Sequence, residues 1–171
     1  MVRKTSALLS YYYAEHDELE SCLDQFNASV LMERQWNAET EDLIAEFIHF
    51  VQHQLEEHMQ HEEQVLFPAM AKALGQKEDA TPDNDPISLM IDEHETLRRF
   101  GQMIQEEFTR CQSTQVKSRE LVHLVYDFNR LLNEHIFKEA SIVYPMSEQL
   151  LSAQQKESML QQLTDDDKIV T

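Results

Sequence analysis

The chain has 171 residues, about one domain on the usual size scale, and contains only two glycines and four prolines, where average usage gives roughly 12 and 9. Folds that depend on tight backbone turns, such as dinucleotide-binding sheets, phosphate-binding loops, β-sandwiches and barrels, are thereby disfavoured, and the abundant Glu, Gln, Leu, Met and Ala favour helix. With 32 acids against 14 basic residues the formal charge is −18, which repels phosphate and argues against nucleic acid or anionic membrane surfaces as partners.

At the start of the chain, Arg3 and Lys4 precede Ala7-Leu8-Leu9, an apolar run too short for a signal peptide, and no stretch reaches membrane-spanning length. Cys22 and Cys111 stand far apart, in no spacing that suggests a disulfide framework or an iron–sulfur site. A cytoplasmic location is the expectation.

Polar, breaker-rich stretches at Met32–Thr40, Gly75–Pro86 and Thr109–Ser118 separate four long segments, each with an apolar stripe stepping by three and four residues. The first stripe is Tyr12, His16, Leu19, Leu23, Phe26 and Val30, and the second is Ile44, Ile48, Val51, Leu55, His58, Glu62, Val65 and Ala69. Asp85 as N-cap with Pro86 at the first helical position opens the third segment, with Ile87, Met90, His94, Leu97, Gly101, Ile104, Phe108 and Cys111 on its stripe. The fourth carries Leu121, Val125, Phe128, Leu132, His135, Glu139, Ile142 and Met146. Short connections between long helices make neighbours antiparallel, so the expected fold is all-α, an up-down-up-down four-helix bundle. A short fifth helix is expected over Leu150–Leu163, with Ser152 and Gln155 in capping-box spacing. The bundle would thus occupy residues 1–163, followed by a frayed acidic tail at 164–171.

Six stripe positions are ionisable: His16, His58, Glu62, His94, His135 and Glu139. Buried without partners, each would cost several kcal/mol, on the order of 2–7 for a neutral group. Counted from the breaks, the four histidines fall within a few turns of one level. Histidine and glutamate four residues apart share a helix face, so His58/Glu62 and His135/Glu139 can each reach one metal ion or bridge two. The pattern also repeats. His58-Met-Gln-His-Glu62-Glu-Gln-Val-Leu-Phe-Pro68 matches His135-Ile-Phe-Lys-Glu139-Ala-Ser-Ile-Val-Tyr-Pro145, and Glu15-His16 matches Glu93-His94, at an offset of about 77–78 residues. Two helical hairpins related by a pseudo-twofold axis, each giving one lone histidine and one His/Glu pair, imply two metal ions. With both glutamates and an oxo or hydroxo group bridging, each ion has two nitrogens, three oxygens and one open position. Imidazole with carboxylate suits iron, and zinc or manganese fits the same ligands.

These segments, with Asp92-Glu-His94-Glu, resemble the hemerythrin-like (HHE cation-binding) family from about Leu8 to Met146. The ligand pattern is most similar to the family's di-iron proteins that repair iron centres under nitrosative or oxidative stress. Oxygen-carrying members use a His-x-x-x-His pair on the third helix and end on His-x-x-x-x-Asp, whereas here Arg98 follows His94 and Glu139 follows His135. Repair members typically carry an N-terminal segment with a cysteine pair, and only 15 residues precede His16. The resemblance implies a non-haem di-iron protein that reacts with O2, NO or peroxide or donates iron to damaged iron–sulfur centres, with iron–sulfur proteins as partners. The alternatives are a non-enzymatic oxygen or iron store or sensor and a structural zinc site.

Around the constellation, Tyr12 lies one turn from His16 and reads as packing or as a hydrogen-bond donor near the site, and His61 adjoins Glu62. Gly101 permits either close helix contact or a channel. His49, His53, His61 and His123 fall off the stripes and read as surface residues, with a place near the site as the alternative for His61. Of the acids beside the ligands (Glu15, Asp17, Glu57, Glu93 and Glu134), most fit a solvated face, and any could orient an imidazole. Pro68 and Pro145 are expected to end or kink their helices beyond the site.

Overall fold

The computed structural model describes residues 5–30, 36–75 and 85–170, and among these the chain forms five helices and no strand. They are α1 (Ala7–Val30), α2 (residues 38–73), α3 (Pro86–Thr114), α4 (residues 119–150) and α5 (Ala153–Val170). Their starts follow from capping side chains. Asn37 accepts from the Thr40 N–H (2.8 Å), Asp85 from Ser88 (3.3 Å) with Pro86 at the first position, and Ser118 from Leu121 (3.0 Å). Ser152 and Gln155 cap α5 reciprocally.

Two ends differ from the sequence reading. Helix α3 runs through Thr109–Thr114 and stops at Gln115, whose φ of 55° is left-handed, because buried Cys111 extends the seam past the polar residues around it. Helix α5 continues past buried Leu163 to Val170, through residues 164–170 of the stretch read as a frayed tail. Leu31, residues 32–35 of the first break, 76–84 of the second, Thr171 and the Val30 side chain lie outside the described residues.

Neighbouring helices are antiparallel, as short connections require. Phe26 meets Phe47 and Phe50 at one end of the α1–α2 pair and Tyr12 meets His61 at the other. Gln112 bonds Glu41, and His94 bonds Glu63, across α3 and α2. Ser6, just before α1, reaches Glu148, and His16, further along α1, meets Glu139, earlier on α4, so these two helices also run antiparallel. Helix α5 packs on α1 through Met159 and Leu163. Among the described residues no helix is long and apolar enough to cross a membrane.

The core is divided. One apolar cluster includes Leu19, Leu55, Met59, Leu97, Leu132 and Ile136, and the other includes Tyr12, Val65, Met90, Val143 and Tyr144. On each helix the break between the two clusters falls at the ionisable stripe residues, so these form a polar layer across the bundle.

Pro68 and Pro145 neither end nor break their helices. Each is preceded by a widened π turn, Glu62–Leu66 and Glu139–Val143, in which Phe67 N–H bonds Glu62 O and Tyr144 N–H bonds Glu139 O, five residues back. A proline lacks the N–H for a regular turn, and its ring would strike the carbonyl four residues earlier; the extra residue in the turn relieves that clash. It also shifts the phase of everything beyond. Ile142, placed on the seam by regular spacing, is 53% exposed, and Val143 and Tyr144 take the interior instead.

Gly101 makes the close contact rather than a channel: a Cβ there would lie 2.9 Å from Val51 Cγ1, at the start of a third π turn, Val51–Leu55. Overpacking of this kind costs about 1–3 kcal/mol, against about 1 kcal/mol gained in helix propensity. Gly101→Ala should therefore lower stability by about 1 kcal/mol, read as a lower denaturant midpoint with an unchanged slope. A higher midpoint would contradict the contact.

Candidate metal centre

Helix α1 contributes His16, α2 contributes His58 and Glu62, α3 contributes His94, and α4 contributes His135 and Glu139; all six are buried and meet in the polar layer. Glu139 lies at the centre. Its Oε2 is 3.0 Å from His16 Nε2 and 3.8 Å from His58 Nε2, while its Oε1 is 2.8 Å from His135 Nε2 and 3.8 Å from His94 Nε2. Each carboxylate oxygen thus faces its own histidine pair. Glu62 is placed differently: Oε2 lies 3.4 Å from His94 Nε2 and 3.8 Å from His58 Nε2, and Oε1 accepts from the Tyr144 hydroxyl at 2.9 Å.

Three of the imidazoles are held from behind by carboxylates. His58 Nδ1–H donates to Glu15 Oε2 (3.0 Å), His94 to Glu63 Oε1 (2.7 Å) and His135 to Glu93 Oε2 (3.0 Å). These acids are themselves anchored, Glu15 by His61 Nδ1 (2.8 Å), Glu63 by Arg98 Nη1 (2.8 Å) and Glu93 by Lys138. Burial pushes the Glu15 carboxyl up, but hydrogen bonds from His58 and His61 outweigh it and hold it at about 2. Glu63 and Glu93 are likewise lowered, against burial, by bonds from Arg98 with His94 and from His135 with Lys138. Ionised carboxylates on Nδ1 direct Nε2 toward the centre, the arrangement that orients a metal-binding histidine.

Repeat-related positions occupy equivalent places, with two substitutions that make the halves unequal. Glu15/His61 corresponds to Glu93/Lys138. Glu63 corresponds to Ala140, so His16 Nδ1 is buried without a hydrogen-bond partner where His94 Nδ1 has one. Phe67 corresponds to Tyr144, and each ring stacks on a lone histidine, Phe67 on His94 (5.8 Å) and Tyr144 on His16 (5.0 Å).

The donor set fits a cation. His58 Nε2, Glu62 Oε2 and Glu139 Oε1 are buried, aimed inward and without hydrogen-bond partners. His94 Nε2 and His135 Nε2 are 3.0 Å apart, and two nitrogens at right angles on one ion, each at about 2.1 Å, would have about that separation. The electrostatics agree. Burial and neighbouring Glu139 push Glu62 up, whereas burial of Glu139 is outweighed by His135 and the other imidazoles, which hold it well below the usual range. Burial disfavours charge on His58, His94 and His135, yet neighbouring carboxylates overcome it and raise all three, chiefly Glu62 and Glu139 for His58 and for His94, which reaches about 9, and Glu139 with Glu93 for His135. Metal binding at these donors would be coupled to proton release.

Of the residues read as lying near the site, His61 is half-buried and holds Glu15, while the Tyr12 hydroxyl bonds His61 O (3.2 Å) and its ring packs on His58. Among the flanking acids Glu15 bonds the His58 ring and Glu93 the His135 ring; Glu134 instead pairs with Arg130. His49, His53 and His123 are exposed. Regular periodicity overlooks Glu63 and Tyr144. Glu63 is masked as one acid in an acidic run, and Tyr144 falls off the stripe until the π turn is included, although its alignment with Phe67 in the repeat marks the position.

A model of the hemerythrin HHE cation-binding domain matches residues 7–147. No curated protein and no solved structure shows a significant match.

Removing a carboxylate that backs a ligand imidazole typically costs 10–100-fold in metal affinity. Glu63→Gln should therefore weaken metal retention by about 10–100-fold at the His94/His135 side only, seen as a fast-released fraction in chelator competition. Uniform release, or none, would contradict this assignment.

Proposed function

The chain belongs to the hemerythrin HHE cation-binding family, and from that premise we propose that His16, His58, Glu62, His94, His135 and Glu139 hold two iron ions joined by an oxo or hydroxo bridge. The protein would react with small oxidants such as O2, NO or peroxide, or donate iron to stress-damaged iron–sulfur centres, in the cytoplasm. The observation that supports this best is the placement of Glu139, whose two oxygens face separate histidine pairs. Zinc or manganese would accept the same donors, but the imidazole–carboxylate mixture with open positions suits iron.

When bound, two adjacent irons supply a redox couple and a place for a diatomic molecule or peroxide to bind. The protein's own residues shape what reaches them. Arg98, four residues after His94, turns away to bond Glu56 (2.8 Å) and Glu63 (2.8 Å), so it offers no donor to the centre. Phe67 and the apolar clusters on either side exclude water. A cleft between α1 and α2, lined in part by Leu19, Cys22, Phe50 and Gln54, leads from the surface to Glu15 and His58 and suits passage of a small molecule.

The alternative is a store or sensor of oxygen or iron without turnover. The feature favouring it is the polar layer between two apolar clusters, because metal occupancy would then govern how firmly the halves of the bundle cohere.

Metal analysis of protein isolated from its native host should give close to two irons per chain, an oxo-bridged di-ferric absorption, and a ferrous form that binds NO. Stoichiometry well below two in folded protein, or zinc alone, would contradict the proposal. Repeated oxygenation and deoxygenation without consumption of oxidant would favour the store or sensor.

A further inference from the structure

The two histidine pairs are unequally supplied with donors. His94 and His135 share their space with Glu62 and Glu139, making four donor groups, whereas His16 and His58 share theirs with Glu139 alone, making three. Beside that poorer set stands the Tyr144 hydroxyl, 2.8 Å from His16 Nε2 and 2.9 Å from Glu62 Oε1. We propose that Tyr144 is a seventh protein ligand, its phenol oxygen binding the metal ion held by His16 and His58. This rests on the two-metal reading above and adds a ligand to it.

Three observations support the assignment. The first is the repeat. Phe67 stacks on His94 as Tyr144 stacks on His16, so ring packing is served equally by both residues and only the hydroxyl is unexplained. The second is burial: Tyr144 is 0% exposed, and its oxygen lies 2.8 Å from His16 Nε2 and 2.9 Å from Glu62 Oε1, between two members of the proposed ligand set. His16 Nε2 also lies 3.0 Å from Glu139 Oε2, so a phenol oxygen, an imidazole nitrogen and a carboxylate oxygen converge, and a cation among the three would satisfy them together. The third is Glu62, which spends Oε1 on Tyr144 and so leaves the His16/His58 ion short of the oxygen that Glu62 would otherwise give. On binding, the phenol O–H bond breaks, the oxygen's electron pair forms the bond to the ion, and the proton passes to Glu62 Oε1 and then to solvent. No electron is transferred. A cation stabilises the deprotonated form of an oxygen ligand in this way.

The test is resonance Raman spectroscopy of the full chain loaded with ferric iron, with Tyr144→Phe and Tyr12→Phe beside it. Wild type and Tyr12→Phe should show phenolate ring modes enhanced within a visible charge-transfer band. Tyr144→Phe should lose both the modes and the band while keeping two irons per chain, since phenylalanine preserves the ring stack as Phe67 does. Should that variant fail to fold, ring-deuterated tyrosine in the Tyr12→Phe protein keeps the question open to measurement: modes that shift on labelling support the ligand. Two bound irons without phenolate modes in wild type would overturn the Tyr144 assignment and leave the two-metal reading standing. Iron well below two per chain in folded wild type would overturn both.

Discussion

Glu139 imposes the constraint on which the rest of the centre depends. A fully buried carboxylate is tolerable only with compensating charge, and here each of its oxygens faces a different pair of imidazoles. Each imidazole comes from a different helix, so satisfying one carboxylate sets the depth and rotation of all four helices. The polar layer therefore acts as a register device as well as a candidate metal site. The apolar clusters on either side supply most of the burial energy, but they would tolerate small slips that the layer does not.

The π turns that begin at Glu62 and Glu139 link sequence to chemistry most directly. Pro68 and Pro145 make a regular turn unfavourable just where the ligand helices pass the centre. The widened turn then carries an aromatic ring, Phe67 or Tyr144, onto a lone histidine. One hydroxyl distinguishes the two halves at that position, and one carboxylate, Glu63 against Ala140, distinguishes them at the next. The two repeated hairpins thus give unequal environments, one richer in backing carboxylates and one with a phenol at its edge.

Much of this was legible before any coordinates. The scarcity of glycine and proline, the stripes, and the caps at Asp85 and Ser152 specify the bundle, and the ionisable stripe residues specify which side chains meet. Regular periodicity fails where the helix is irregular: it places Ile142 inside, where the structure exposes it, and it leaves Tyr144 off the stripe, although Tyr144 is buried. Glu63 could not be told from the acids around it, because its role depends on Arg98 from another helix. The choice at Gly101 likewise needed the position of Val51 on a neighbouring helix. Local spacing reads contacts within a helix; what opposes it across the bundle is visible only once the helices are packed.

On the proposed reading, one bundle layer holds two ions with Glu139 between them. Anomalous diffraction at the iron edge from crystals of the iron-loaded full chain tests it most directly. Two anomalous peaks are expected, one bonded to His16, His58 and one oxygen of Glu139, the other to His94, His135 and the second oxygen. A single peak, or peaks outside the polar layer, would contradict it.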